Sequence, residues 1–174
     1  TRGTTTGVYE YQLNLDIALK LQAELQNRGY EVYMTRTGND VNISNAERAE
    51  YAKSVGGEIF IRIHANGSDN SGVSGALSLA PSLSNPYVSG IGAESQRLSK
   101  CVLDAYCAAT GMKNQGVVTS DTMTGINWCT MPVTIMEMGY MTNPSDDTNM
   151  ENEAFQTKMV SGMADGIDAY FMYY

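Results

Sequence analysis

The carboxy-terminal stretch constrains the fold more than any other part of this chain. Phe155, Met159, Met163, Ile167 and Phe171 recur at strict four-residue intervals, and on a helix that spacing stacks them into one apolar face that must be covered. A helix of this kind covers a sheet, and the runs that could supply one lie upstream, at residues 30–36, 59–64, 72–79, 116–119 and 133–136. Between them fall further helical patterns. Leu13, Ile17, Leu21 and Leu25 form a stripe that stops at Asn27-Arg28-Gly29. Ser44 followed by Glu47 is a capping box that opens a second helix, ended by Gly56-Gly57. Residues 89–110 read as a third helix with an irregular start, closed by Gly111. Strands alternating with helices of this length predict an α/β fold, a three-layer α/β/α arrangement with a mostly parallel central sheet. With 174 residues, 43% of them hydrophobic, the chain is sized for a single domain with a real core.

Composition removes several functional classes. Eleven basic residues stand against 19 acidic ones, for a formal charge of −8, and no Lys/Arg run offers a surface for phosphate backbones, so nucleic acid is excluded as a partner. The acidic residues are scattered, with Asp146-Asp147 the only adjacent pair, which reads as mostly solvated faces. Cys101, Cys107 and Cys129 show no CxxC spacing and no even count, so neither a disulfide framework nor a cysteine zinc site is supported. Cys101 and Cys107 share a predicted helix, where six residues turn the chain through about 600° and leave the thiols about 120° apart around the axis, so they are not expected to pair. No apolar run reaches about 18 residues, so no membrane span is expected.

Three side chains stand at the edges of apolar elements. His64, the chain's one histidine, closes the strand Ile59-Phe60-Ile61-Arg62-Ile63-His64 before a polar Gly/Ser/Asn stretch. Strand carboxyl ends are where α/β sheets present ligands, and a neutral imidazole there suits a metal, although a histidine hydrogen-bonded to a loop would look the same. Glu10 opens the first helix, with Asn14 one turn on; a glutamate there also meets the helix dipole favourably. Glu137 interrupts Val133-Thr134-Ile135-Met136-Glu137-Met138-Gly139-Tyr140-Met141, where no other charge occurs. An unpaired carboxylate in such surroundings costs several kcal/mol unless something compensates, which favours a functional role.

Several motifs in this order are shared with a known family. Glu10-Tyr11-Gln12-Leu13-Asn14-Leu15, Met34-Thr35-Arg36, Glu47-Arg48-Ala49, Ile63-His64-Ala65-Asn66, Met112 to Val117, and Met131-Pro132 through Glu137-Met138-Gly139-Tyr140-Met141-Thr142-Asn143 are each weak. Together they resemble the zinc-dependent N-acetylmuramoyl-L-alanine amidases of the type 3 amidase family, over nearly the whole chain. The resemblance implies a peptidoglycan hydrolase, exported to the cell wall, that cleaves the bond between N-acetylmuramic acid and the L-alanine of the stem peptide. It implies Glu10 and His64 as two Zn2+ ligands and Glu137 as the catalytic carboxylate. Zinc with three N/O ligands keeps a position for water and lowers its pKa, while a neighbouring glutamate takes the proton and passes it to the leaving amine.

Two departures accompany the resemblance. The family's third ligand is a histidine ending a strand ahead of the glutamate ligand. Residues 1–8 read as the Gly/Thr-rich loop after such a strand, so residues ahead of Thr1 are expected to carry it. Arg62 stands where the family has a small residue, on the same strand face as His64. It is expected to pair with Glu137 or another site carboxylate, or to grip a substrate carboxylate; Asn66 is a second candidate for substrate contact or ligand support. Tyr9, Tyr11, Tyr140 and Trp128 are candidates for a sugar or peptide groove, and residues 120–130 for its rim. The rival readings are a zinc peptidase or amidohydrolase of related fold, and a catalytically silent peptidoglycan-binding module.

Overall fold

The computed structural model describes residues 1–172. Ten elements follow one another: α1 (Glu10–Asn27), α2 (Asn45–Ser54), β1 (Phe60–Asn66), β2 (Ala76–Ala80), α3 (Gly92–Thr110), β3 (Asn114–Thr119), α4 (Thr124–Asn127), β4 (Val133–Tyr140), α5 (Pro144–Met150) and α6 (Glu153–Met172). The strands form one sheet in the order β1-β4-β2-β3. β1 pairs with β4, and β2 with β3, in parallel, whereas β2 runs antiparallel to β4. The sheet is mostly parallel, as expected, with one antiparallel pairing at its centre. The connection at 67–75 is too short for the crossover that a parallel pairing needs, so β2 returns in the opposite sense.

β4 is the spine. Every residue of it is buried except Glu137, because strands cover both its edges and helices both its faces. Polar groups on α3 meet its backbone and side chains from above: Val133 N donates to Ser95 Oγ at 3.0 Å and Ser99 Oγ to Thr134 Oγ1 at 2.7 Å. Tyr106, fully buried, donates to the Met138 carbonyl at 2.7 Å. On this face the apolar stripes of α1, α3 and α6 share one core with Met136 and Met138. α6 lies tight on α3, since a Cβ at Gly166 would stand 2.5 Å from Val102 Cα and one at Gly162 2.9 Å from Tyr106 Cα. The opposite face carries only short helices, with a smaller core in which Ala49 and Ala52 of α2 and Ile126 of α4 meet Val133 and Ile135.

The expected strand at residues 30–36 is not a strand. Its residue types suit a pleated surface, but a strand exists only where a neighbour completes its ladder, and here the neighbouring edge, that of β1, lies across a groove of about 590 Å³. Residues 30–36 and 59–64 both line it, together with side chains of α1, α2 and the end of α6. Side chains hold the segment instead: Arg36 Nη2 donates to the Tyr11 carbonyl at 2.8 Å, and Arg48 Nη1 to Thr35 Oγ1 at 3.1 Å. Two short helices, α4 and α5, lie in stretches with no periodicity long enough to predict them. The Asp146-Asp147 pair is also not solvated. Asp147 Oδ2 accepts from Thr5 N and Thr6 N, both at 2.8 Å, and Asp146 Oδ2 from Gly75 N and Tyr140 N, both at 3.0 Å. These buried carboxylates anchor the first loop, and with it the start of α1, to the end of β4.

Candidate active site

Glu10 is the first residue of α1, held there by a hydrogen bond from Tyr9 N to Gln12 Oε1 at 3.2 Å. Its carboxylate reaches the end of β1, where Oε1 lies 3.1 Å from His64 Nδ1 and accepts from Ala65 N at 3.3 Å and Asn14 Nδ2 at 3.4 Å. Burial raises the Glu10 pKa, but the hydrogen bond and charge of His64, with the Ala65 and Asn14 bonds, outweigh it and leave the carboxyl below its usual value. Asn14 thus orients Glu10 from one turn along the same helix face.

His64 stands opposite Glu137 in the β1-β4 register, just before a bulge that ends regular pairing between His64 and Asn66. On its other side Glu137 faces Leu77 of β2. Its Oε2 is buried and has no hydrogen-bond partner among the described residues. Burial pushes its pKa up; the charge of His64 counters this, and that of Glu10 reinforces it. A carboxyl held in that state binds a proton more readily than a solvated one.

Arg62 makes no ion pair with Glu137 or any other carboxylate among the described residues, so the expected pairing is corrected. Ile135, not Glu137, is its register partner. Its guanidinium turns instead to α2, where Nη2 donates to Asn45 Oδ1 at 2.6 Å. Asn66 spends its side-chain oxygen on Gly67 N, at 2.9 Å. Tyr9 and Tyr11 stack with ring centroids 5.6 Å apart on either side of Glu10, both well exposed, and Trp128 is exposed at the end of α4. Tyr140 is core, with its hydroxyl donating to Gln115 Oε1 at 2.9 Å. The 120–130 segment does line a cleft with His64, through Thr122, Met123, Thr124 and Gly125. Asn45 and Gly125 carried no sequence signal for this site, because both enter it through tertiary contact alone.

The chain is similar to known proteins along nearly its whole length. A family profile described as N-acetylmuramoyl-L-alanine amidase matches residues 1–169. The N-acetylmuramoyl-L-alanine amidase LytC of Bacillus subtilis strain 168 is 29% identical over 167 residues, which is 95% of this chain but only 32% of LytC. Among solved structures, the catalytic domain of CwlV, an N-acetylmuramoyl-L-alanine amidase from Bacillus (Paenibacillus) polymyxa var. colistinus, superposes with a TM-score of 0.86 at 27% identity, over 99% of this chain and 90% of that one. An N-acetylmuramoyl-L-alanine amidase from Clostridium difficile 630 gives 0.88 at 25% identity, over 99% and 89%.

Proposed function

The chain belongs to the N-acetylmuramoyl-L-alanine amidase family, and from that premise we propose that it is a peptidoglycan hydrolase of the cell wall that cleaves the amide between the lactyl group of N-acetylmuramic acid and L-alanine. Residues 1–174 are proposed to act as one catalytic domain. The observation that carries this reading is the meeting of Glu10, His64 and Glu137 from three separate elements at one end of the sheet, with Glu137 Oε2 buried and without a partner among the described residues.

Zinc is the proposed cofactor. Glu10 and His64 fit it in donor type, an imidazole nitrogen and a carboxylate oxygen already 3.1 Å apart. Among the described residues no group of three or more His, Cys, Asp or Glu could hold an ion, so these two would share it with donors of another kind or origin. When bound, zinc lowers the pKa of water and polarises a carbonyl. The chain's own part begins with Ala65 N–H and Asn14, which hold Glu10 in place. Glu137 Oε2, kept proton-hungry by burial, takes the proton from the attacking water and returns it to the leaving nitrogen.

The test is digestion of purified muropeptides with zinc supplied. The expected result is release of new L-alanine amino termini, with no new glycan reducing ends and no peptide cross-link cleavage. Reducing ends, or cleavage within the peptide, would refute the amidase assignment. His64→Ala should lose both bound zinc, read by metal analysis, and turnover.

A further inference from the structure

Arg62 is a buried cation without a counter-charge among the described residues. It keeps 9% of its exposure, and its one hydrogen bond among those residues is that to Asn45 Oδ1. Nε and Nη1 donate to no described group. Its Cζ lies 5.7 Å from the Phe60 ring centroid, and the guanidinium borders an open cleft, so a largely buried cation faces a space from which an anion can complete it.

The surroundings hold that guanidinium ready. Asn45 is fixed by its own amide, which donates to Thr124 Oγ1 at 3.0 Å, so its oxygen stays turned to Arg62. A Cβ at Gly125 would stand 1.7 Å from Arg62 Nη1, so only glycine leaves the guanidinium its place. Arg62 and His64 alternate onto the same face of β1 and together line a cleft of about 240 Å³ with Asn45, Met123, Thr124 and Gly125. Two residues along a strand separate their Cα atoms by about 6.6 Å.

We propose that Arg62 is a substrate-binding residue that receives, in a two-pronged grip, the α-carboxylate of the stem-peptide residue following L-alanine. This rests on the amidase reading. The span agrees with it: from the scissile amide nitrogen, across alanine, to the carboxyl carbon of the next residue an extended chain covers about 6–7 Å. Bound at His64's end of the cleft, the scissile amide delivers that carboxylate to Arg62. A carboxamide at the same place has the same size but lacks the charge, and it offers one acceptor to the fork instead of two. The site therefore selects stems whose second residue is a free acid over stems in which it is amidated.

Two muramyl tripeptides test this, MurNAc-L-Ala-γ-D-Glu-L-Lys with the D-Glu α-position as carboxylate or as carboxamide. For the unaltered protein, kcat/KM should favour the carboxylate by about 10- to 100-fold, mainly through KM, the range expected of a charge-assisted hydrogen-bonded pair. In Arg62→Met that ratio should fall to near one, and Arg62→Lys should keep part of it. A ratio near one in the unaltered protein, or an unchanged ratio in Arg62→Met, overturns the proposal; so does an equal loss on both peptides, which marks a structural role. If Arg62→Met fails to fold, the ratio in the unaltered protein decides alone. If neither peptide is cleaved, the amidase reading fails by itself, and calorimetric affinities for the same two peptides decide the role of Arg62 by the same ratio.

Discussion

The two faces of the sheet are built on different terms. One carries three long helices, α1, α3 and α6, packed into a core of Leu, Met and Tyr in which Gly162 and Gly166 bring backbones into contact. The other carries α2 and α4, the second only four residues long, and tolerates a buried guanidinium and a 240 Å³ cleft. The side chains on that second face, Arg62, His64 and Glu137, alternate from the same two strands whose other side chains fill the dense core. One strand pair thus serves packing on one side and chemistry on the other. Substitutions on the dense side should cost stability with little change in the site's chemistry, and those on the open side the reverse.

The largest effect should come from Glu137→Gln. Losing an acid–base group costs about 10²–10⁴ in turnover, whereas replacing a buried, unpartnered carboxyl by an uncharged amide should leave the thermal midpoint level or slightly raised. Amino-terminus release and thermal melting measure the two. A variant that melts much earlier would show Glu137 to be part of the scaffold, and the division between faces would fail at its most important residue. Met163→Ala is the mirror experiment. Met163 is fully buried in the α1-α3-α6 core, so truncation should cost about 2–5 kcal/mol in urea unfolding, with the surviving native protein keeping its substrate preference.

Gly125→Ala sharpens the contrast on the open side. The new methyl has no room beside Arg62 Nη1, and overpacking costs about 1–3 kcal/mol where the surroundings cannot give way. Here they can, because the guanidinium borders a cleft. The expected stability loss is therefore at the low end, with a displaced Arg62 and a reduced preference for the carboxylate peptide. A large loss of stability with the preference intact would mean that this face is as rigid as the other.

How much of this was legible in the sequence follows the same division. α2, on the open face, was marked by its Ser44 and Glu47 box; the long helices announced themselves, α1 and α6 by four-residue periodicity and α3 by the Gly111 that ends it at φ 75°. Those signals are local, and the dense face is made of them. The three site residues came together although β1 runs on past His64 to Asn66 and β4 past Glu137 to Tyr140, because apolar alternation gives the face on which His64 and Glu137 stand. What could not be read is what neighbours decide. Residues 30–36 have strand-like composition but no adjoining ladder. Asp146 and Asp147 look like solvated charges until the backbone amides of Thr5, Thr6, Gly75 and Tyr140 arrive from distant positions. Arg62 read equally as half of an ion pair or as a substrate contact because strand alternation gives its face, not its partner, and Asn45 lies on another element.

The smallest effect is the finest test of the comparison, and the cysteines supply it. Cys107 on α3 belongs to the dense core, and Cys129, just after α4, to the open side. Burial pushes both thiols up to about 11, with the Arg62 charge pulling against it at Cys129, so near pH 8 each holds only a small thiolate fraction. Static exposure favours Cys107, at 8% against 5% for Cys129. If labelling followed the static surface, Cys107 would react first. Local opening argues the opposite, because a four-residue helix beside a cleft unfolds locally at lower free energy than the middle of three packed helices. Alkylation in native buffer, followed residue by residue by mass spectrometry, should therefore modify Cys129 ahead of Cys107, by a modest factor that shrinks as urea approaches the unfolding midpoint. Cys107 reacting first, or both at the rate of global unfolding, would show that the two faces open as one unit, and the open side would then owe its chemistry to shape alone.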